Sequence, residues 1–343
     1  MPRAFITGVS GETLTPDEAA FLKSALPCGF ILFGRNCISH DQIRRLVADV
    51  RTAVGSDDFL VLIDQEGGRV QRLRPPLGRA LPPAAAYARL YEQNAEQGLE
   101  AAFLAARLVA EDLLDLGINT DCAPVLDVPV PGAHDVIGNR AYGVEPIQIA
   151  ALGRAVAEGF MAGGVLPVIK HIPGHGRATA DSHHDLPIVS ESHAELSATD
   201  FKAFKELSDM PAAMTAHVVF TALDPANPAS TSEIVTREVI RGEIGFDGFL
   251  MSDDLSMKAL AGSFEERTRA VLAAGSDVAL HCNGSLAEMT AVATEAPELA
   301  GSALARFRRA LDVLKACKPY DSAKAEALIA AALAIDAPSA ESV

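Results

Sequence analysis

The sequence predicts an α/β fold, a single-domain (β/α)8 barrel of TIM type. Three observations carry the prediction. Eight short apolar runs recur along the 343 residues, most of them followed by a stretch with helical spacing, which is the alternation of a parallel sheet wrapped in helices. The runs are apolar on both faces, as in Phe59-Leu60-Val61-Leu62-Ile63, and strands read this way when both sides are buried. Several runs end in a charged or polar residue: Asp64, Asp121, Lys170-His171, His217, Asp253-Asp254 and His281. Barrels of this kind place their chemistry at the carboxyl ends of the strands.

The elements follow in order. Ala4 to Val9 is the first strand. Thr15-Pro16-Asp17-Glu18 opens a helix with a capping box and a proline at its first position. Gly29 to Gly34 is the second strand, and Ser39-His40-Asp41-Gln42 a second capping-box start, followed by Ile43, Leu46, Val47 and Val50 at helical spacing. Phe59 to Ile63, the third strand, runs into Asp64-Gln65-Glu66-Gly67-Gly68-Arg69-Val70-Gln71-Arg72. A long helix carries Leu99, Phe103, Ala106, Ala110 and Leu113 on one stripe and stops at Gly117. Ile118 to Cys122 is the fourth strand. A proline-rich excursion then leads to Ile137-Gly138-Asn139-Arg140-Ala141-Tyr142-Gly143. A helix with Ile149, Leu152, Val156 and Phe160 precedes the fifth strand, Val165 to Ile169, which delivers Lys170-His171. Met210 to Ala216, Gly248 to Met251 and Asp277 to Leu280 are strands six to eight. Leu304, Phe307, Leu311 and Leu314 form a helical stripe, and an alanine-rich helix spans Ala323 to Ile335. With no composition break, the domain is expected to cover residues 1–336, with 337–343 a flexible tail.

Composition excludes several classes. A formal net charge of -16 repels phosphate backbones, so nucleic acid is not an expected partner. Arg306-Phe307-Arg308-Arg309 reads as a solvated helix face. The five cysteines are odd in number and lack CxxC spacing, which favours free thiols in a reducing compartment. No apolar stretch approaches the roughly 20 residues of a membrane span, and the N-terminus lacks a signal-peptide pattern. A cytoplasmic monomer is expected. Neither GxGxxG nor a P-loop is present, and no cofactor is expected.

The densest polar stretch is Lys170-His171-Ile172-Pro173-Gly174-His175-Gly176-Arg177-Ala178-Thr179-Ala180-Asp181-Ser182-His183-His184-Asp185, which holds four of the nine histidines. Two readings stand. As a metal site, His171, His175, His183, His184 and Asp181 supply ligands, although no helix-borne zinc spacing is matched. As an acid/base site, Asp181 orients His183, whose imidazole donates and accepts protons near neutral pH. His175 and His184 then shape the loop. Asp253-Asp254 divides into one functional carboxylate and one structural partner, because adjacent strand side chains face opposite ways. Asp64, Arg72, Arg140 and Lys170 suit a polyhydroxylated ligand, accepting from hydroxyls and donating to ring substituents.

At these residues the chain resembles glycoside hydrolase family 3, in particular its bacterial single-domain β-N-acetylhexosaminidases of peptidoglycan recycling. The pieces that carry the likeness are Asp64 to Arg72, Asn139 to Gly143, Lys170 to Gly176, Asp181-Ser182-His183 and Ser252-Asp253-Asp254-Leu255-Ser256-Met257. The likeness runs from about Phe5 to about Ala316. It implies a TIM barrel that removes terminal N-acetylglucosamine from muropeptides with retention. Asp253 is then the nucleophile, His183 the acid/base and Asp181 its partner, with Asp64, Arg72, Arg140, Lys170 and His171 binding the sugar. No metal is implied. The loop from Pro173 to His183 is expected to move during the cycle. Ile172 and Ala141-Tyr142 depart from the family's usual residues and bear on fine specificity. A family 3 β-glucosidase or β-xylosidase, a phosphorylase variant and a metal-dependent barrel hydrolase stand as alternatives.

Overall fold

Burial from both sides turns the apolar runs into strands. The computed structural model describes residues 1–178, 182, 185–316 and 318–336. In chain order the barrel strands are β1 (Arg3–Thr7), β2 (Pro27–Leu32), β3 (Leu60–Ile63), β4 (Thr120–Asp121), β5 in two pieces (Leu166–Pro167 and Ile169–Ile172), β6 (Ala212–Thr215), β7 (Phe249–Asp254) and β8 (Val278–His281). Every residue of β2, β3 and β8 is buried. The sheet runs from the first piece of β5 through β4, β3, β2, β1, β8, β7 and β6 to the second piece of β5. All of these pairings are parallel. A sheet that starts and ends on one broken strand is a closed eight-stranded barrel, as predicted.

Strand alternation divides the core. Ala4, Ile6, Leu60, Leu62, Cys122, Met251 and Leu280 pack together. Phe30, Val61 and Ile63 face the helices and pack with Ile43, Leu46 and Leu113. Each Leu, Ile, Val, Phe or Met side chain removed from water contributes about 1.5–3 kcal/mol.

The helices are α1 (Pro16–Ala25), α2 (His40–Val54), α3 (Ala84–Gln93), α4 (Ala95–Asp115), α5 (Pro146–Ala162), α6 (His193–Ala198), α7 (Asp200–Lys205), α8 (Phe264–Ala273), α9 (Leu286–Glu295), α10 (Gly301–Val313) and α11 (Ser322–Asp336), with a π-helix at Val235–Glu243 after β6. The Thr15–Glu18 capping box forms as expected. At α2 only half of the second box forms. Ser39 accepts from Gln42 N, but the Gln42 side chain reaches past Ser39 to Ile38 N at 3.0 Å. Helix α3 has no counterpart in the sequence reading. Ala325, Ile329 and Ala332 of α11 share the cluster that holds α3 and α4.

The arginines of α10 are paired rather than merely solvated: Arg306 lies 2.7 Å from Asp247 and 3.1 Å from Asp277, and Arg309 lies 2.9 Å from Asp247. Cys28, Cys37, Cys122 and Cys282 are buried free thiols; Cys317 and residues 337–343 lie outside the described residues. Among the described residues no helix is long and apolar enough to cross a membrane.

Candidate active site

Strand β3 hands the chain to Asp64 and then to a small antiparallel hairpin, Gln65–Gly67 against Val70–Gln71. Gly67 turns it at φ +100, where a Cβ would lie 2.4 Å from the Pro82 carbonyl oxygen. The Gln65 side chain pins the return, its Oε1 accepting from Arg72 N and Leu73 N, both at 3.0 Å. Arg72 thereby comes back to Asp64, with a guanidinium nitrogen 2.8 Å from Oδ2. From β5, Lys170 Nζ sits 2.9 Å from Asp64 Oδ1 and 2.6 Å from Glu66 Oε1. Arg140 arrives on a single 3-10 turn, Gly138–Arg140, and grips Glu66 with two bonds of 2.8 Å.

Burial opposes every charge in this ring, and pairing wins. Lys170 and Arg72 pull Asp64 well below the carboxylate range despite its burial. Arg140 and Lys170 bring Glu66 down to about 2 against the same cost. Burial depresses Lys170, but Asp64 and Glu66 more than offset it and hold the amine charged. Three cations and two anions joined by four ion pairs are worth more as a network than as isolated pairs.

Asp127 is fully buried and organises the start of the histidine-rich loop. Its Oδ2 lies 2.6 Å from His171 Nδ1, and its Oδ1 accepts from His171 N at 3.2 Å and His175 N at 2.7 Å. An acceptor on Nδ1 fixes the tautomer, leaving His171 Nε2 as the outward atom. The loop then crosses tightly over Val128. A Cβ on Gly176 would lie 2.0 Å from the Val128 carbonyl oxygen. Arg177 pins the next step to Asp200 at 2.7 Å. Ser182 is buried, with its Oγ 3.1 Å from His175 Nε2 and its carbonyl accepting from Ala259 N at 3.2 Å. His175 does shape this loop, and burial brings its pKa down to about 4. Asp181, His183 and His184 lie outside the described residues, as does the expected movement of the arm.

At the end of β7 the two aspartates divide. Asp254 Oδ1 accepts from Ser256 N at 2.9 Å and from Cys282 N at 3.0 Å, a structural role. Asp253 faces a cavity of about 300 Å3 that Asp64, Arg72, Arg140, Lys170 and His171 also line. Its apolar wall includes Ile31, Phe33, Ile137, Met214 and Met257. Beneath, His217 Nε2 donates to the Asp254 carbonyl at 3.1 Å, so its Nδ1 accepts from Ser230 Oγ at 2.7 Å. Burial pushes His217 below its ordinary pKa, as that neutral tautomer requires. A larger cavity of about 710 Å3 lies beside α4 and α11, but Arg79 there is spent on Asp112 and Glu326.

One strand-end residue is elsewhere. His281 points into the helix layer, 3.0 Å from Glu288 and edge-on to Phe264. Its neighbours Leu280 and Cys282 line the cavity instead, as period-two alternation dictates. Among the described residues no cluster of three or more His, Cys, Asp or Glu side chains is placed to hold a metal.

Asp121 is buried beneath the ring. Its Oδ1 accepts from Gln65 N at 2.9 Å, while Oδ2 has no partner among the described residues. Burial raises its pKa to about 8. A folded-state pKa above the unfolded one means that stability falls as pH rises through this window. Asp121→Asn should therefore stabilise the fold at pH 7–8 by on the order of a few kcal/mol and raise Tm there. The gain should shrink as pH falls and vanish below about pH 4, where the acid becomes protonated in both states; an equal gain at both ends of this range in thermal melts would refute the reading.

Two residues of the site escaped the sequence reading. Glu66 stands two residues after Asp64, the spacing that puts side chains on one face of an extended chain. Asp127 is a lone carboxylate in the apolar run Val125-Leu126-Asp127-Val128, a pattern that signals a buried, partnered acid.

The profile of the glycosyl hydrolase family 3 N-terminal domain matches residues 8–309. A β-hexosaminidase of Methylococcus capsulatus is 41% identical over 292 residues, covering 84% of each chain. Another, of Bordetella avium, is 35% identical over 286 residues, 82% of this chain and 81% of its own. Among solved structures, native NagZ of Neisseria gonorrhoeae superposes with a TM-score of 0.85 at 30% identity, covering 98% of this chain and 99% of that one. The same protein in complex with N-trifluoroacetyl-D-glucosamine superposes at 0.83, with 98% of each chain covered. On this match the chain belongs to glycosyl hydrolase family 3 and is a glycoside hydrolase.

Proposed function

We propose that this enzyme is a retaining exo-β-N-acetylglucosaminidase that removes the terminal sugar from muropeptide fragments, as a monomer in the cytoplasm. One observation carries the reading: the Asp64–Lys170–Glu66–Arg140 ring with Arg72 shares a single cavity with Asp253. Paired carboxylates and cations are the donors and acceptors that a pyranose ring needs. A volume of about 300 Å3 is at the small end for ligand pockets, which suits one sugar at a chain end. The complex of the Neisseria protein with N-trifluoroacetyl-D-glucosamine supports an N-acylated hexosamine in that place. Buried free cysteines support a reducing compartment.

In the mechanism, Asp253 attacks the anomeric carbon as the glycosidic bond breaks and the departing oxygen takes a proton. A glycosyl ester on Asp253 results. A water then gives its proton to the same acid/base, attacks the anomeric carbon and frees Asp253, so that two displacements return the β-configuration. We give the acid/base role to His183, oriented by Asp181. Ser182, which stands between them in the chain, is buried at the cavity wall and held by His175, a position that supports the assignment.

Aryl glycosides test the reading in phosphate buffer. The 4-nitrophenyl N-acetyl-β-D-glucosaminide should be cleaved roughly 100-fold faster than the glucoside or xyloside, with the β-anomer appearing first by NMR. Comparable turnover of the glucoside removes the sugar assignment. An α-anomer removes retention, and a sugar 1-phosphate makes the enzyme a phosphorylase.

A further inference from the structure

The mechanism leaves one charged side chain of the cavity without work. Glu66 is 7% exposed, and no step of the reaction uses it. A carboxylate has about four acceptor positions. On Glu66 three are taken: Lys170 Nζ approaches Oε1 at 2.6 Å, and Arg140 donates to Oε1 and Oε2 at 2.8 Å each. On Asp64, which is 14% exposed, two are taken, one by Lys170 and one by Arg72. Glu66 is thus committed to the protein, whereas Asp64 keeps acceptor capacity toward the cavity.

We propose that Glu66 is a positioning residue: it fixes Arg140 and Lys170 in place and satisfies them, so that Asp64 keeps its remaining acceptor positions for sugar hydroxyls. This rests on the reading of the cavity as the N-acetylglucosamine site. Three cations face two anions in the ring. Remove the Glu66 charge and Asp64 becomes the anion nearest both Lys170 and Arg72. Arg140 then competes for Asp64 as well, and Asp64 accepts from protein instead of sugar. The guanidinium plane of Arg140 is set by its bidentate grip on Glu66 and by one further bond to the Val136 carbonyl at 3.0 Å. Without the grip, only that carbonyl bond orients it.

A merely structural ion pair makes a different prediction from a positioning one. Glu66→Gln keeps the volume and one acceptor oxygen while deleting the charge. For a positioning residue, KM for the 4-nitrophenyl N-acetylglucosaminide and the inhibition constant of free N-acetylglucosamine should both rise about tenfold or more, with kcat reduced less, because binding common to ground and transition states is lost. The effect should also fail to multiply with Arg140→Met. The double variant should lose at least about fivefold less than the product of the single losses, the behaviour of residues acting through one contact. KM and the inhibition constant within about twofold of wild type in a folded Glu66→Gln, or losses that multiply independently, overturn the proposal. Should Glu66→Gln fail to fold, Glu66→Met/Arg140→Met removes the pair as a unit, and replacing a buried pair this way is often tolerated. Its inhibition constant should then be no better than that of Arg140→Met and within about fivefold of it; a further large loss contradicts the proposal. Wild-type enzyme run alongside separates the two readings: if it does not cleave the N-acetylglucosaminide, the site assignment itself fails and the proposal falls with it.

Discussion

Asp253→Ala should lower kcat on the N-acetylglucosaminide by roughly 10^4-fold or more, the loss seen when a nucleophile is removed and binding is left intact. The fold should survive. Among the described residues the side chain accepts from Asp254 N at 2.8 Å, a local bond worth about 1 kcal/mol, or a few degrees of Tm. The neighbouring Asp254→Ala is the contrasting control. It strips the acceptor from Ser256 N and Cys282 N, so its damage should appear in the melting curve as well as in the rate. Azide supplies a sharper check. In Asp253→Ala a small anion can enter the vacated space and attack the same face of the sugar, giving the α-glycosyl azide and restoring turnover. Recovery of that product identifies the deleted group as the nucleophile. Near-normal hydrolysis by Asp253→Ala without azide would end the assignment.

How legible this site is depends on the kind of signal each residue leaves. The eight strands are visible because two-sided burial writes a continuous apolar run, and a run survives errors of a residue or two at its ends. Side-chain parity does not survive them, which is why His281 reads as a site residue yet faces Glu288 and Phe264. Helix α3 has Pro83 at its N-cap, which offers no side-chain hydrogen bond, so its start carries none of the usual punctuation. The capping box at Ser39 fails by one position because Gln42 finds Ile38 N and the carbonyls of Glu12 and Asn36 instead. Asp64, Arg72, Arg140, Lys170, His171 and Asp253 do line one cavity, although they come from segments far apart in the chain. Their charges at strand ends and in glycine-bounded loops are costly enough to be conspicuous. Glu66 and Asp127 were harder because their partners are distant in sequence. A carboxylate's neighbours in space are set by how the barrel closes, which local pattern does not encode.

Asp127 is where the second large effect is expected, and its two variants separate two roles. Asp127→Ala leaves three buried donors without an acceptor: His171 N, His175 N and His171 Nδ1. At about 1–3 kcal/mol for each unsatisfied group, the total is on the order of 3–9 kcal/mol, a large share of ordinary domain stability. The loss should depend on pH with a definite sign. Burial raises the Asp127 pKa, but His171 and the bonds it receives outweigh that and leave it depressed. A depressed folded-state pKa gives stability that is present above the unfolded value, about 4, and lost as pH falls through the folded one. The gap in Tm between wild type and Asp127→Ala should therefore be full at pH 6–7 and narrow in acid. Asp127→Asn behaves differently. Its amide oxygen can still accept from His171 N and His175 N, so the root of the loop is kept. Its amide nitrogen, however, presents a donor to His171 Nδ1 and forces the imidazole into the opposite tautomer. The cavity then meets a proton on Nε2 where the aspartate left a lone pair. Weaker binding of N-acetylglucosamine in Asp127→Asn, by roughly tenfold, with a melting curve close to wild type, isolates the tautomer effect. A large fall in kcat confined to Asp127→Ala isolates the loop. If Asp127→Asn binds the sugar as tightly as wild type, His171 does not act through a fixed tautomer, and Asp127 serves the loop alone.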